Sequence, residues 1–579
     1  MGLSAMGSRI SADWVLGIWD GHDAGAALLQ GNRILFAVNE ERYSRRKLEA
    51  GFPTRSINAC LAYAGIPPGS IQHVAISTSD PAKTLTRLFP GLKESYYLLR
   101  RRKKDPGVLL GFKKWFKYRA TELQPNSVSG LLTRWNINRS LKRLGFENHN
   151  LHIVDHHEGH ARAAARCSGF RQCLVITLDG VGDGLCGSIR TFIDGRLELV
   201  KSLTVSGSLG IFFEHVTSLM NMRELEDEGK VMALADYAHP VDDTVNPLME
   251  LIHIHDLDLV CPLRRGKLYR EMKKIFWRFP SEQFAYMAQR VVETKAAELI
   301  HNAVKHTGLR QVAAAGGLFS NVKLNMKAAQ SADIDNFFVF PHMGDGGLAV
   351  GSALAIQLQP HPNSRIPLND LYLGPAFSAR HIRRCLEKRH LSYRPLDDKV
   401  LTAAELILEG EIILWFQGRM ELGPRALGNR SILARADDRS IRDRLNLALK
   451  KRVWYQPFCP SLLAEDAAAL LDTKDQSPAD NRFMTSAFSV RPEKLPLLEG
   501  VVNIDGTCRP QFVAGENSLF RDLLQRIKKE LGYGVVLNTS FNIHGQPIAC
   551  SPEDALDTLL QSGFRYLILE DYLVENDPI

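Results

Sequence analysis

The chain has 579 residues, a formal net charge of +8, 45% apolar and 23% charged side chains, which excludes a disordered chain, a collagen and a small disulfide scaffold and accommodates about three or four domains of roughly 150 residues. No run of about 18 apolar residues occurs, which argues against a membrane span, and the opening MGLSAMGSRI lacks the apolar core of a secretory signal. The nine cysteines are scattered without a C-x-x-C pair, so reduced thiols in the cytoplasm are expected rather than a disulfide frame or a zinc site.

In chain order, VLGIW (15–19) and ILFAVN (34–39) read as strands, and IWDGHDAGAALL sets Asp20, His22 and Asp23 in a glycine-bracketed turn. Residues 93–119 hold ten Lys and Arg against Glu94 and Asp105, which is the whole net charge of +8. Interleaved with Trp115 and Phe116, that run suits a phosphate-bearing or polyanionic partner, an anionic membrane surface, or a solvated helix face. A second basic, aromatic-rich run covers 264–279.

In VDHHEGHARAAAR (154–166), Asp155 and Glu158 fit a capping box, and His156 and His160 then share one helix face. Two imidazoles one turn apart suit a divalent metal; a polar core pair is the alternative. CLVITLD (173–179) reads as a strand, and TLDGVGDGLCGSI repeats the earlier Asp-Gly turn. Two such units indicate a duplicated domain, and Gly182, Asp183 and Gly184 would close the second turn around an anion or metal. LEDEGKVMALA (225–235) puts Glu226, Asp227 and Glu228 beside Lys230; a metal or a cation would offset their repulsion, or the segment is an exposed acidic loop. Residues 285–308 read as an amphipathic helix stopped by Gly308. In VAAAGGLFSNVKLN (312–325), a strand meets Gly316-Gly317, which let a nucleotide approach the backbone, with Asn321 following. Asp345, in PHMGDGG, either completes a two-His, one-carboxylate set suited to iron(II) or caps a helix.

The proline-rich segment QLQPHPNSRIPLNDLYLGPAFS marks a linker at 359–378 between a first domain at 1–358 and a second at 379–579. Beyond it, EIILWFQ (411–417) reads as a strand. GRMELGPRALGNRS carries Arg419, Glu421, Arg425 and Arg430 among glycines; Lys450, Arg509, Asn538, Ser540 and Asn542 follow. Glycines bare backbone N–H groups and guanidiniums grip phosphate in pairs, so a phosphate or acyl-phosphate site is expected here. Alternating strands and helices give the class α/β.

Taken in order, DGHDAGAALL, EERYSRRK, DHHEGHA, LDGVGDG, EGKVMALA, GGLFSNVKLN, GDGGLAVGSAL, ELGPRALGNRS and NTSFNIHGQPI span nearly the whole chain and resemble the O-carbamoyltransferases of antibiotic and nodulation-factor biosynthesis. The resemblance implies a duplicated actin-, sugar-kinase- and heat-shock-ATPase-like N-terminal domain and a YrdC-like C-terminal domain. It implies that the second domain cleaves carbamoyl phosphate and joins the carbamoyl group to AMP from ATP, with Mg accompanying the ATP. The first domain then passes the group to a hydroxyl-bearing acceptor. In those terms Arg425, Arg430, Lys450 and Arg509 neutralise phosphates, helped by Arg419, Glu421, Asn538, Ser540 and Asn542. Gly182, Asp183, Gly184, Glu228, Lys230, Gly316, Gly317 and Asn321 serve the nucleotide. His156, His160 and Asp345 hold iron(II), and His22, flanked by Asp20 and Asp23, is the general base. The chain departs from the family at Gln456-Pro457-Phe458-Cys459-Pro460, where Arg-Pro-Phe-Ala-Pro is usual, and at His544, where Arg is frequent. No obligatory nucleic acid is implied; contact of 93–119 with an anionic membrane stays open. So do two other functions: a tRNA threonylcarbamoyl transferase-like enzyme and a nucleotide-binding protein without catalysis.

Overall fold

The computed structural model describes residues 14–103, 120–356, 365–450, 453–473 and 481–576, without the side chains of residues 92, 93, 265 and 448–450. The first sheet is made of β1 (Trp14–Trp19), β2 (Gly25–Gln30), β3 (Arg33–Asn39), β4 (His73–Ser77) and β5 (Asn150–Val154). An antiparallel β1-β2-β3 meander is extended by β4 and β5, parallel to β1, in the order β3-β2-β1-β4-β5. The second sheet uses β6 (Gln172–Gly182), β7 (Leu185–Ile193) and β8 (Arg196–Thr204). After a small hairpin of β9 (His253–His255) and β10 (Asp258–Val260), it adds β11 (Gln311–Ala315) and β12 (Asn336–Val339). Its order, β8-β7-β6-β11-β12, repeats the first sheet strand for strand and direction for direction. The duplication expected from the two Asp-Gly turns therefore holds, and each turn sits at the head of a first hairpin.

Small residues close the space between these sheets. The helices His156–Cys167 and Leu348–Ile356 cross at Gly351, where a Cβ would lie 2.2 Å from the Gly159 carbonyl oxygen. The second helix also seats on β1 at Gly17, where a Cβ would lie 1.9 Å from the Ala349 oxygen. Interiors packed to crystal density leave no room for such an atom. The expected amphipathic helix runs from Ser281 to Thr307, stopped by Gly308 at φ 71°.

The C-terminal sheet contains β13 (Ser392–Pro395), β14 (Ile413–Phe416), β15 (Arg430–Ala434), β16 (Cys459–Leu463), β19 (Gln511–Val513), β20 (Val535–Ser540), β21 (Tyr566–Leu569) and β22 (Tyr572–Glu575). A separate hairpin pairs β17 (Phe488–Ser489) with β18 (Thr507–Cys508). The order is β13-β22-β21-β14-β15-β20-β16-β19. Period-two alternation splits β14 between two helical layers. Leu414 and Phe416 pack with the helices Ala379–Arg389 and Pro552–Ser562; Ile413 and Trp415 pack with Lys399–Leu408 and Ser518–Leu531.

The EERYSRRK motif is the joint between the N-terminal sheets and this one. Arg42 donates to the Gly423 oxygen at 2.8 Å, and Arg45 donates to the Ile548 and Pro547 oxygens at 2.7 and 3.0 Å and pairs with Asp554 at 3.2 Å. A second tie sets Lys323 between Asp236 and Asp505, the latter at 2.6 Å. The described part of the expected linker, 365–378, is a packed strap. Ile366, Leu368, Leu371 and Leu373 are buried, and the Leu373 oxygen accepts from the Ala37 N–H at 3.0 Å.

Candidate active site

The His156–Cys167 helix starts at Asp155, whose carboxylate accepts from the Glu158 N–H at 2.8 Å. One turn apart on that helix, His156 and His160 aim their Nε2 atoms at Asp179 Oδ2, at 3.4 and 3.3 Å, and at Asp345 Oδ1, both at 3.7 Å. Asp345 arrives from the turn before the Leu348–Ile356 helix, so the glycine-mediated helix crossing is what brings it here. One donor atom from each of the four lies within 4.8 Å of the others. Metal–ligand bonds of about 2.0–2.2 Å put neighbouring donors at such spacings around one ion. The His160 Nε2 is buried without a hydrogen-bond partner, as a lone pair kept for a metal would be. Burial opposes charge on His156, but Asp345 and Asp179 outweigh it and lift the imidazole to about 9. Burial also works against Asp179, yet the hydrogen-bonded His156 and the nearby His160 hold its carboxyl well below the usual range. Without a metal the two carboxylates thus favour a proton on His156; a divalent cation satisfies the same demand. The donor set fits a metal, with two carboxylates where one was expected. Asp179 belongs to the same LDGVGDG motif as Asp183, and nothing in the motif's spacing sets it apart as the ligand.

Asp183 serves the scaffold of this centre. It adopts φ 52°, accepts from the His156 N–H at 2.8 Å, and bonds Thr78. Burial, with Asp155 nearby, raises it to about 7. Gly182 leaves room for the His156 ring: a Cβ there would fall 2.1 Å from it. Gly184 likewise lies against the Glu122 oxygen, 2.9 Å from an added Cβ.

The first turn is the counterpart of the second, with a different outcome. Asp20 is buried and clamped by Arg87 through Nε and NH2, at 2.8 and 3.1 Å, with Lys83 at 3.2 Å. It is thereby spent, whereas its equivalent Asp179 faces the histidines. Asp23, at φ 58°, accepts from Asn39 at 3.1 Å, and burial beside Glu41 raises it to about 8. His22 places Nδ1 3.5 Å from Asp345 Oδ2 and its ring 5.5 Å from that of Tyr97. Burial lowers its pKa, opposed by Asp345, so the imidazole is neutral at neutral pH.

Gly316, at φ 107°, and Gly317 meet the end of β6. Cβ atoms there would lie 2.2 Å from the Leu178 oxygen and 2.9 Å from Asp179 Oδ1. Asn321 caps the next helix by accepting from Leu324 N–H at 3.1 Å and exchanges two hydrogen bonds with Gln289, so its amide is already occupied. Glu228 accepts from the Leu225 N–H at 2.7 Å, and burial raises it to about 7. Lys230 pairs with Asp227 at 2.7 Å, and Arg101 pairs with Glu226, which answers how the acidic run is neutralised.

The C-terminal arginines divide into two groups. Arg430 is fully buried, stacks 3.5 Å over Phe416, and donates to the Gln417, Asn429 and Gly418 oxygens at 2.6, 3.0 and 3.1 Å. Arg419 donates to the Leu35, Leu373 and Gly374 oxygens at 2.8, 2.7 and 3.1 Å and lies over the Tyr63 ring. Glu421 gathers the N–H groups of Leu427, Asn429 and Arg430 at 2.8, 2.8 and 3.1 Å. These three are hydrogen-bonded into the glycine loop, with Arg430 Nε and Glu421 Oε2 buried without partners. Arg425 and Arg509 differ. Arg425 has no hydrogen-bond partner among the described residues, and burial and the neighbouring Arg509 push it down to about 9. Arg509 donates to Cys459 Sγ at 3.2 and 2.9 Å. Asn538 donates to Ser461 Oγ at 2.8 Å while its own oxygen is buried and unpartnered. Ser540 donates to Asn542 at 2.7 Å. The Lys450 side chain lies outside the described residues.

Two family models cover most of the chain: carbamoyltransferase N-terminus on residues 14–282 and 277–354, and carbamoyltransferase C-terminus on 404–576. The chain belongs to the carbamoyltransferase family. This carbamoyltransferase is 31% identical to nodulation protein NolNO of Sinorhizobium fredii, over 96% of its own chain and 79% of that protein. It is 32% identical to the 3'-hydroxymethylcephem-O-carbamoyltransferase of Streptomyces clavuligerus, over 55% and 59% of the two chains. A protein of Methanocaldococcus jannaschii matches at 30% over 97% and 99%. Among solved structures, (R)-2-hydroxyglutaryl-CoA dehydratase component A of Acidaminococcus fermentans aligns at 12% identity and TM-score 0.33, covering 59% of this chain and 97% of that one. Full-length HypF in its phosphate- and nucleotide-bound form aligns at 12% and 0.31, covering 60% and 47%.

The departures of this carbamoyltransferase now have surroundings. His544 lies at the joint, where burial and the cations Lys230 and Lys47 lower it to about 4. In the basic run, Arg100 pairs with Glu214 and Glu224 at 2.5 and 2.8 Å, and Lys103 with Glu226 at 3.3 Å. Arg102 donates to the Ser218 oxygen at 2.9 Å. Within the described part of that run Arg101 is buried while Arg102 and Lys103 are exposed; 104–119 lie outside the described residues. The second basic run forms the helix Arg265–Phe276, with Leu268 and Met272 in the core and Trp277 exposed. Among the described residues no helix is long and apolar enough to cross a membrane, and all nine cysteines are buried and unbridged.

Proposed function

We propose that this carbamoyltransferase is an ATP-dependent O-carbamoyltransferase that works in the cytoplasm and carbamoylates a hydroxyl of a biosynthetic small molecule or glycan. Its net reaction is carbamoyl phosphate, ATP, water and the acceptor alcohol giving the O-carbamoyl product, AMP, pyrophosphate and phosphate. In the first half, phosphate leaves carbamoyl phosphate and the resulting carbamate oxygen attacks the α-phosphorus of ATP, expelling pyrophosphate. In the second, the acceptor oxygen attacks the carbamoyl carbon and AMP departs.

The observation that carries this reading is the Arg425–Arg509 pair: two guanidiniums close enough to act on each other electrostatically, with Arg425 Nε buried and without a partner among the described residues. Adjacent like charges in a poorly solvated site cost free energy unless an anion joins them, and a phosphate accepts from both. Asn538 and the loop shaped by Arg430, Arg419 and Glu421 would border that anion. At the other centre, His156, His160, Asp179 and Asp345 would hold a divalent metal, for which iron(II) suits the mixed nitrogen and oxygen donors. When bound it would supply Lewis acidity toward phosphate oxygens. His22, neutral and next to that centre, would take the acceptor's proton, and Gly316-Gly317 would admit the nucleotide. The hydroxymethyl acceptor named for the cephem relative supports an alcohol as the nucleophile. The test is incubation with carbamoyl phosphate and ATP: pyrophosphate formation dependent on carbamoyl phosphate is expected, and its absence with iron(II) and Mg supplied refutes the reading.

A further inference from the structure

A second group of metal-ligating side chains lies on two helices packed on the C-terminal sheet and shares no residue with the site described above. His381 and Cys385 stand one turn apart on the helix Ala379–Arg389, and Glu553 occupies the first turn of the helix Pro552–Ser562. Glu553 Oε1 is the meeting point: His381 Nε2 lies 3.2 Å from it and Cys385 Sγ 3.0 Å. One donor atom from each lies within 4.8 Å of the other two.

Both helices are anchored. Ser378 caps the first by accepting from the His381 N–H at 3.3 Å, and a Ser551–Asp554 capping box starts the second. Ile382, Leu386, Leu556 and Leu559 hold the two helices on the same core, and the His381 ring lies 5.4 Å from that of Phe377. Cys385 is buried while His381 and Glu553 are about half exposed, so the thiol forms the floor and solvent reaches the mouth.

We propose that His381, Cys385 and Glu553 form a second metal site, for a zinc-class divalent ion, that clips these two helices together. Thiolate, imidazole and carboxylate are the donors zinc prefers, with one position left for water. Bonds of about 2.3 Å to sulfur and 2.0–2.2 Å to nitrogen and oxygen separate tetrahedral donors by about 3.4–3.6 Å. The observed spacings need widening by about half an ångström, within the reach of two partly exposed side chains. Binding exchanges the Cys385 thiol proton for the ion: the S–H bond breaks, the S–metal bond forms, and H⁺ enters solvent.

Cobalt(II) titration of the full chain separates this site from the first. The His156 centre contains no sulfur, so a sulfur-to-cobalt charge-transfer band reports thiolate ligation alone. One equivalent of cobalt is expected to raise the band, zinc to abolish it, and Cys385→Ser and His381→Ala each to remove it and weaken zinc binding by more than about 100-fold, beyond the loss of an outer partner. His160→Ala should leave it intact. No band at micromolar cobalt, or a band that survives His381→Ala, overturns the proposal. That exposed variant decides the matter even if Cys385→Ser fails to fold.

Discussion

Asp20 and His22 are neighbours with opposite fates. The carboxylate is locked by Arg87 and Lys83, whereas the imidazole faces the centre uncharged. His22→Gln is therefore expected to lower the transfer step by about 10²- to 10⁴-fold, the usual worth of a positioned base, while pyrophosphate formation continues. Assaying each half-reaction checks this; equal loss in both refutes the role. The converse holds for Arg425→Gln. Removing a charge-assisted contact worth about 1.5–3 kcal/mol should slow pyrophosphate formation by about 10- to 100-fold and spare transfer from supplied carbamoyl adenylate. At this scale the sequence shows which residues carry charge but not where the charge points. His156, His160 and Asp345 were legible because helix periodicity and a glycine turn dictate direction. Arg430 and Arg419 look like phosphate ligands until their carbonyl partners are seen. Asp179 and Asp183 share one motif, and only the positive φ of Asp183 turns it away to the His156 amide.

Between elements, the centre depends on how closely two helices cross. Strand and helix identities were readable from apolar runs, and so was the repeat of the Asp-Gly turn. The crossing itself was not, because GHARAAAR and LAVGSALA announce small residues without naming the partner each glycine meets. Gly351→Ala drives a methyl against the Gly159 oxygen. Overpacking of this kind costs about 1–3 kcal/mol, and the shift displaces Asp345 from His156 and His160. A lowered Tm together with loss of the bound metal, read by elemental analysis, is the expected result. Retained metal with a lowered Tm would mean that the helices relax without moving the carboxylate. The strap at 365–378 shows the same limit: its prolines signalled a linker, but Ile366, Leu368 and Leu371 occupy the core because extended backbone can bury alternate side chains.

For the whole molecule, the joint would couple the two proposed half-reactions. Arg45→Ala removes two carbonyl contacts and an ion pair with Asp554. The expected outcome is normal pyrophosphate formation but AMP released without product, measured as a rising ratio of AMP to carbamoylated acceptor; an unchanged ratio would show that other contacts hold the joint. Stability should also depend on acidity through His342, which burial lowers to about 3. Between about pH 3 and pH 6.5 the unfolded chain binds a proton that the folded chain refuses. This contribution is complete above pH 6.5 and is lost as the pH falls through that window, at a slope of about 1.4 kcal/mol per pH unit. His342→Gln should flatten that slope in urea melts at pH 5 and above.

Two copies of one five-stranded plan would, by symmetry, offer two cation seats. Arg87 and Lys83 act as permanent tenants of the seat around Asp20, so only the later copy presents its carboxylate to an exchangeable ion. The molecule's pseudo-symmetry is thus broken electrostatically while its backbone stays alike. Ancestral repetition has been divided into one half that carries its positive charge covalently and another that, as proposed, would draw it from solution.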